Sequence, residues 1–225
     1  MVSERVWNII TDSFGKILLP GLIRSIPLAA VSFILAVLIA VSMALIQFAN
    51  VRGAKQLVRF YIWIFRGTPL LVQLYVVFYG LPGIGILIEP FPAAILVFAL
   101  NEGAYSAETI RAALEAVPLG QLEAGYCAGM TYMQTMRRIV LPQALRTAFP
   151  SLSNSLIAMV KNTSLAANIT VAEMFMVTQR IVARTYEALA LYIEVAFMYL
   201  LFSTALTLLQ RFGEKKLNVH SYQGV

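Results

Sequence analysis

The chain is poor in charged residues and has one cysteine and one histidine. Of its 225 residues, 12% are charged and 60% are hydrophobic. A soluble domain averages about 25% charged residues, so this composition excludes an ordinary soluble domain and indicates a membrane protein. Cys127 has no second cysteine for an internal disulfide, and His220 has no second histidine to share a metal, so neither a disulfide nor a metal site is predicted.

The chain also lacks the motifs of nucleotide-binding proteins and of membrane-embedded enzymes. It contains no Gly-x4-Gly-Lys-Ser/Thr motif, so it has no P-loop that could bind the phosphates of ATP. It contains no His/Glu zinc pattern and no Gly-x-Ser-x-Gly motif, so an enzyme is without support. We therefore predict no catalytic residue and no cofactor bound by this chain. If ATP drives the protein, another subunit binds the ATP and its Mg²⁺.

Long apolar runs predict five transmembrane helices. The run from Ser25 to Val51 contains no charged residue and exceeds the roughly 20 apolar residues that cross a bilayer core. The other spans are predicted at about residues 60–81, 92–114, 145–160 and 188–209. We predict an all-α integral membrane protein with a single permease domain over residues 1–225. Its parts are an interfacial amphipathic helix at 1–20, a five-helix core at 21–210 and a polar tail at 211–225.

The basic residues predict how the chain is oriented in the membrane. If the segment between the third and fourth spans is cytoplasmic, nine basic residues lie in cytoplasmic segments: Arg52, Lys55, Arg59, Arg111, Arg137, Arg138, Arg211, Lys215 and Lys216. Five lie in or near outer segments: Arg5, Lys16, Arg24, Arg180 and Arg184. The amino terminus is then outside and the carboxyl terminus is cytoplasmic. Because these residues flank apolar runs, the net charge of +6 does not indicate a nucleic-acid partner.

The polar interval between the third and fourth spans carries a specific sequence. Glu123-Ala124-Gly125 is followed by Gly129 and, after nine intervening residues, by the sequence Ile-Val-Leu-Pro at 139–142. Small residues let another protein approach the backbone closely, and the Leu-Pro pair is expected to change the direction of the chain. Alternatively, the small residues only pack against neighbouring helices. The order resembles the cytoplasmic coupling loop of ABC importer permeases, in which the position of Gly125 usually holds Ala.

Further segments resemble one branch of these permeases. They are Phe-Arg-Gly-Thr-Pro-Leu-Leu-Val-Gln-Leu at 65–74, Ala-Tyr-Ser-Ala-Glu-Thr-Ile-Arg at 104–111, Gly-Gln at 120–121, Leu-Pro-Gln-Ala at 141–144 and Lys-Asn-Thr-Ser-Leu at 161–165. The last segment is usually Lys-Asp-Thr/Ser-Ser-Leu. The chain is similar over residues 21–209 to the permease subunits of type I ABC importers for polar amino acids, which include histidine, glutamine, arginine and cystine permeases.

This resemblance implies a permease subunit that works by alternating access in a bacterial cytoplasmic (inner) membrane. Two permease chains, either two copies or two related chains, line one path through the lipid. Each lays its coupling helix, here about residues 119–129, in a groove of a separate ATPase subunit. Glu123 would make the polar contact, while Ala124, Gly125 and Gly129 would allow close docking. A periplasmic or lipid-anchored binding protein would deliver the polar amino acid.

Ionisable side chains in the predicted spans mark candidate transport residues, since each costs roughly 2.5–3.5 kcal/mol at membrane depth on insertion scales. Glu102, beside Asn101 in the middle of the third span, is predicted to line the substrate path. The alternative is that Glu102 forms a structural ion pair with Arg66. Arg66 either binds a substrate carboxylate or snorkels towards the interface.

Three more charged residues lie in the predicted spans, and none of them is assigned to the substrate path. Glu108 and Arg111 are three residues apart near a helix end, so an i,i+3 ion pair is expected. Glu194 lies in the fifth span, and no role is predicted for it beyond the alternative of an intersubunit contact.

The end of the fourth span bears on the charge of the substrate. In relatives that carry cationic amino acids, acidic residues occupy the positions of Ser155 and Asn162. Neither of these side chains pairs with a cation as a carboxylate does, so we expect a substrate without net positive charge. Glu102 argues partly the other way, because it adds a carboxylate; the alternative is that it holds the α-ammonium of the substrate. Ser155, Lys161 and Asn162 are predicted to lie along the substrate path. The alternative to an ATP-driven importer is a secondary transporter driven by an ion gradient, which inverted repeats would favour and five spans disfavour.

Overall fold

The structure is a computed structural model, and it describes residues 4–50 and 52–217. Every regular element in these ranges is helical. The predictions that concern residues 1–3, 51 and 218–225, including His220 and the end of the polar tail, lie outside the described residues.

The first two helices form one continuous helical run. Helix α1 (Glu4–Pro20) passes through a π-helical turn (Gly21–Ser25) into α2 (Ile26–Phe48). The predicted interfacial helix over 1–20 is therefore not separated from the first span by a break, and its place at the membrane interface stays a prediction. Pro20 and Pro27 flank this π turn, and neither can donate the N–H of a regular α-helical bond. Gly21 has to be small, because a Cβ atom there would lie 2.9 Å from the ring of Phe202.

The second predicted span is divided. Helix α3 (Ala54–Gly67) ends before Pro69, whose backbone is extended at ψ 136°, and α4 (Leu70–Tyr75) begins directly after it. A π turn (Val76–Gly80) and a 3₁₀ turn (Leu81–Ile84) follow. A single helix over 60–81 is therefore wrong. Proline cannot donate the backbone hydrogen bond, and it disfavours helical geometry at the residue before it.

The third predicted span is confirmed, and the last two are longer than predicted. Helix α5 (Pro90–Glu115) contains the whole of 92–114. Helix α8 (Leu141–Asn162) follows α7 (Tyr132–Thr135) through a π turn (Met136–Val140), so the Leu-Pro pair does not change the chain direction as predicted. The remaining helices are α6 (Leu119–Cys127), α9 (Met174–Thr185), preceded by a 3₁₀ turn (Thr163–Ile169), and α10 (Ala188–Lys216), which extends into the predicted tail.

By length and composition, two helical runs are able to cross a membrane, Glu4–Phe48 and Ala188–Lys216. A third does so if the pair Ala54–Gly67 and Leu70–Ile84 is taken as one span. Helices α5 and α8 cover the third and fourth predicted spans but do not pass this test. Both carry ionisable or polar side chains, which lower their hydropathy and also supply the candidate transport residues.

The chain forms two compact units, each assembled from segments that are distant in the sequence. Unit 1 comprises Met1–Ile34, Thr68–Ala99 and Leu156–Thr207, and unit 2 comprises Leu35–Gly67, Leu100–Ser155 and Leu208–Val225. The apolar core of unit 1 includes Leu28, Leu74, Phe98, Ile169, Ile17, Met174, Leu191 and Met198. That of unit 2 includes Val58, Ile62, Leu114, Met136 and Val140, interleaved with alanines.

Candidate coupling surface and transport residues

Helix α6 of unit 2 is the predicted coupling helix, and it is two residues shorter than expected. Its end is closed by two hydrogen bonds, from the Met130 N–H to the Gly125 oxygen over 3.0 Å and from the Gly129 N–H to the Tyr126 oxygen over 2.9 Å. This is the Schellman arrangement, which requires a residue of positive φ directly after the helix. Gly129 supplies it with φ +74°. The conformation of Gly129 therefore explains its identity without any docking partner.

Gly125 faces the inside of unit 2. It is buried, and a Cβ atom there would lie 2.6 Å from Cγ2 and 2.7 Å from Oγ1 of Thr135. Gly125 thus allows α6 to pack closely on α7, as the internal-packing alternative expected. Glu123 and Ala124, in contrast, are exposed, so these two predicted coupling residues form part of the outer surface of α6.

The connection from α6 to α7 is short and capped. The Gln134 N–H donates to Thr131 Oγ1 over 3.3 Å, and the Thr131 N–H donates to Gln134 Oε1 over 2.9 Å. This capping box satisfies two N–H groups at the start of α7. From Tyr132 the helical run then continues to Asn162. The capped connection therefore joins α6 directly to the helical run that contains the fourth predicted span.

Large apolar side chains surround the exposed face of α6. Leu119 is 74% exposed, Tyr126 52% and Met133 69%. They lie in the polar interval between two spans, where exposed apolar groups mark a contact with another protein. Sequence reasoning missed Tyr126 and Met133, although apolar residues in an otherwise polar loop are a readable signal.

Glu102 and Ser155 are brought together in unit 2, as their shared assignment to the substrate path requires. The Ser106 hydroxyl donates to Glu102 Oε1 over 2.7 Å, and the Ser155 side chain is a second hydrogen-bond partner of this carboxylate. The alternative pair with Arg66 is not formed. Within residues 4–50 and 52–217, the ion pairs shorter than 4.0 Å are Lys16–Asp12, Arg111–Glu108 and Arg111–Glu115.

Asn101 and Arg66 lie at the divided end of α3. The Asn101 side-chain amide donates to the Phe65 carbonyl oxygen over 3.2 Å, in the last turn of α3 before Pro69. The Arg66 guanidinium is exposed and stacks on Tyr105, with its central carbon 5.3 Å from the ring centroid. Asn101 thus has a structural contact, and Arg66 remains a candidate for a substrate carboxylate.

The expected ion pair between Glu108 and Arg111 is confirmed at 2.8 Å. Glu194 is 7% exposed in unit 1, and its Oε2 lies 2.7 Å from the Ser13 hydroxyl. The alternative of an intersubunit contact is therefore wrong, because the Glu194 side chain is buried within its own chain. Lys161 and Asn162 are exposed and belong to unit 1.

Glu173 is a buried carboxylate that sequence reasoning did not single out. It precedes α9 and accepts hydrogen bonds from the N–H groups of Phe175 over 2.8 Å and Met176 over 2.7 Å, as an N-cap. Its Oε2 also accepts from the Tyr199 hydroxyl over 3.0 Å. Burial raises the pKa of the Glu173 carboxyl, and the N–H donors oppose this shift. The readable signal was a carboxylate directly before an apolar helical run.

The chain is similar in sequence to known proteins over most of its length. Residues 36–219 match the family described as binding-protein-dependent transport system inner membrane component. The L-cystine transport system permease protein TcyB of Bacillus subtilis is 44% identical over 94% of this chain and 91% of its own length. The nopaline transport system permease protein NocM of Agrobacterium fabrum is 35% identical over 95% of this chain and 92% of its own length.

Solved structures show the same fold. A crystal structure of an amino acid ABC transporter with histidines has a TM-score of 0.85 at 32% identity, over 92% of this chain and 96% of that one. The inward-facing MetNI methionine ABC transporter has a TM-score of 0.76 at 20% identity, over 89% and 96% of the two chains. The predicted all-α fold of a type I ABC importer permease is confirmed. The chain belongs to the family of binding-protein-dependent transport system inner membrane components, as the membrane-embedded permease component whose ATPase is a separate subunit.

Proposed function

We propose that this chain is the permease subunit of an ATP-driven importer for a polar amino acid without net positive charge. The observation that carries the proposal is the coupling geometry. Helix α6 presents Glu123 and Ala124 outwards, while Gly125 fixes its inner face on Thr135. Relatives that cover nearly the whole chain carry names of L-cystine and nopaline transport. L-cystine has equal numbers of ammonium and carboxylate groups, which agrees with a substrate of no net positive charge.

The proposed coupling runs from the ATPase to the spanning helices. The ATPase subunit, which holds ATP and Mg²⁺, receives Glu123 and Ala124 in a groove and contacts the apolar side chains beside them. Closure of the ATPase moves α6, and its close packing on α7 moves the continuous helical run that ends at Asn162. This motion switches the path between inward- and outward-facing states. Gly129 ends α6, and we propose that it also allows the ATPase subunit to dock closely on this helix.

The remaining partners follow from the same proposal. A second permease, either another copy or a related chain, completes the path, and membrane lipid surrounds both. A periplasmic or lipid-anchored protein delivers the amino acid. The amino terminus faces outwards and the carboxyl terminus faces the cytoplasm of a bacterial cell, as the distribution of basic residues predicts.

In unit 2, Glu102 is the carboxylate that we propose for the substrate path. Glu102 is held by Ser106 and by Ser155, whose position holds an acid in relatives that carry cationic amino acids. One carboxylate suffices for the α-ammonium of an amino acid, and a cationic side chain needs a second one. Arg66, whose guanidinium is exposed on Tyr105, is available for the α-carboxylate.

The test is the ATPase activity of the complex purified in lipid with its ATPase subunit and binding protein. A panel of amino acids is compared for the unaltered protein, Glu123→Ala and the matched control Glu89→Ala, which removes an exposed carboxylate distant from α6 in the sequence. Stimulation by one neutral or acidic amino acid, weakened in Glu123→Ala alone, supports the proposal. Uptake that follows a proton or sodium gradient without ATP would contradict it and favour a secondary transporter.

A further inference from the structure

The carboxyl-terminal end of α10 presents an exposed stripe that combines apolar and basic side chains. The helix is long and apolar enough to cross a membrane, and the stripe lies in its last three turns. Its four side chains are spaced i, i+3, i+4 and i+7, so they share one face of the helix. They are Leu208, Arg211, Phe212 and Lys215, and Lys216 flanks them. Leu208 is 59% exposed and Phe212 is 69% exposed, and the three cations are exposed as well.

The three cations are not neutralised by acidic side chains of the described part of the chain. Among residues 4–50 and 52–217, no carboxylate lies within 4.0 Å of Arg211, Lys215 or Lys216. Glu214 is adjacent in the sequence but lies outside the stripe, and its Oε1 accepts a hydrogen bond from the Gln210 side chain over 2.8 Å. Uncompensated basic residues at the end of a membrane helix attract the anionic headgroups of phospholipids.

The other side of this helical end is packed within unit 2. Gly213 faces away from the stripe, and a Cβ atom there would lie 2.5 Å from the ring of Phe149 in α8. The stripe is therefore the outer side of a helical end whose inner side is fixed. Because α8 belongs to the helical run that starts at Tyr132, a ligand on the stripe would stabilise a helix that contacts this run.

A phospholipid matches both kinds of side chain in the stripe. Leu208 and Lys215 are separated by about 10 Å along the helix axis, so acyl chains beside Leu208 place a phosphate near the cations. A second copy of this chain fits less well. A symmetric contact through this face would bring the same cations of the two copies together, and like charges in contact are unfavourable.

We infer that the end of α10 binds an anionic phospholipid. Arg211 and Lys215, one turn apart on the helix, hold its phosphate, and Lys216 adds positive charge beside them. Leu208 and Phe212 contact the first part of its acyl chains. The inference goes beyond the proposed function, because it depends on the membrane position of α10 and not on the substrate or on ATP. The bound lipid holds the end of α10 in its contact with α8.

The test is a titration of the purified permease–ATPase complex in detergent with phosphatidylglycerol and, separately, with the zwitterionic phosphatidylcholine. Native mass spectrometry gives the dissociation constant of the tightest-bound lipid. The unaltered complex is expected to bind phosphatidylglycerol more tightly than phosphatidylcholine. Arg211→Gln with Lys215→Gln is expected to weaken phosphatidylglycerol binding about 25-fold, since each cation near an anionic lipid contributes a factor of roughly five. Arg211→Lys with Lys215→Arg keeps both charges and is expected to retain the binding.

The matched control is Arg180→Gln with Arg184→Gln. These two exposed cations are four residues apart on α9, so the control removes the same charge at the same spacing from unit 1. It is expected to leave phosphatidylglycerol binding unchanged. The thermal midpoint of each complex is also measured with both lipids. Phosphatidylglycerol is expected to raise the midpoint of the unaltered and control complexes but not that of the Arg211 and Lys215 double variant. If the double variant does not fold, Arg211→Gln alone replaces it, with an expected loss of about fivefold.

Three results overturn the inference. Equal affinity of the unaltered complex for the two lipids shows that it has no site selective for an anionic headgroup. Unchanged phosphatidylglycerol affinity in the double variant shows that the lipid binds elsewhere, and loss of the ATPase subunit from that variant identifies the stripe as a protein contact instead. Equal weakening in the control shows that net charge, and not the stripe, attracts the lipid. All three leave the proposed function intact, since that function fails only if the complex imports no amino acid with ATP.

Discussion

Gly125 of α6 and Thr135 of α7 are in such close contact that a Cβ atom on Gly125 would lie 2.6 Å from Thr135 Cγ2. This contact joins the helix that is proposed to dock on the ATPase to the helical run that enters the membrane. The pair therefore offers a direct test of how α6 is coupled to the rest of the chain.

Gly125→Ala is expected to destabilise unit 2 by about 1–3 kcal/mol, the usual cost of adding a methyl group to a packed contact. Thr135→Ser removes the Cγ2 atom, so the double variant Gly125→Ala with Thr135→Ser should recover part of the loss. The measurement is the thermal unfolding midpoint of the purified complex, together with its stimulated ATPase rate. Equal losses in the single and double variants would show that the two residues do not interact.

Gly129→Ala is expected to cost about 1–2 kcal/mol, because Ala has to adopt the left-handed backbone at φ +74°. Gly129→Asn should cost less, since Asn adopts this conformation more readily. The open space around Gly129, where nothing lies within 4 Å of an added Cβ, means that crowding inside the chain does not contribute. Thermal midpoints of the two variants, measured in the complex, check the order. A different result would be normal thermal midpoints for both variants with an equal fall in ATPase stimulation. That result would show that the docking partner, and not the backbone conformation, requires glycine at this position.

Glu102→Gln is expected to lower amino-acid uptake without lowering stability, because a neutral amide at membrane depth costs less than a carboxylate. Ser106→Ala is the matched control, since it removes a hydrogen-bond donor to Glu102 and keeps the charge. Uptake by proteoliposomes and the thermal midpoint are measured for both variants. Unchanged uptake in Glu102→Gln would remove this residue from the substrate path.

Tyr199→Phe removes one of the hydrogen bonds to Glu173 and is expected to cost about 0.5–1.5 kcal/mol. Glu173→Leu leaves the N–H groups of Phe175 and Met176 at the start of α9 without their acceptor, and its expected cost of about 1–3 kcal/mol is therefore larger. Thermal midpoints rank the two variants. Because Glu173→Leu also removes the bond from Tyr199, a cost no larger than that of Tyr199→Phe would show that the cap of α9 adds no stability.

The location of the helices was predictable from local pattern, whereas their ends and their breaks were not. Pro69 does interrupt a span that its flanking apolar residues made look continuous. Pro20, in contrast, lies in a helical run that continues through a π turn. The same residue type gives both outcomes because the surrounding tertiary contacts decide whether an irregular turn is stabilised. Gly21, packed against Phe202, is one such contact.

The contacts of the candidate residues also fall into two groups, those predictable from local spacing and those that depend on the tertiary fold. The spacing of Glu108 and Arg111 on one helix was enough to predict their ion pair. The partner of Glu102 was not predictable from spacing, since Ser106 is local and Ser155 comes from another helix. Glu194 belongs to this second group, because its contact Ser13 is 181 residues away in the sequence.

The sequence by itself determined that this chain is a helical membrane protein with a short coupling segment between two spans. Three local features are sufficient for that: the scarcity of charge, the apolar runs and the motif. The number of residues that cross a bilayer is set by bilayer thickness and by the rise of a helix, so it can be read from each segment alone. Only the tertiary structure decided that Gly125 faces Thr135, that Glu173 joins Tyr199 to the start of α9, and that Glu194 is buried. A side chain's partner depends on which helices pack together, and that packing is a property of the whole fold.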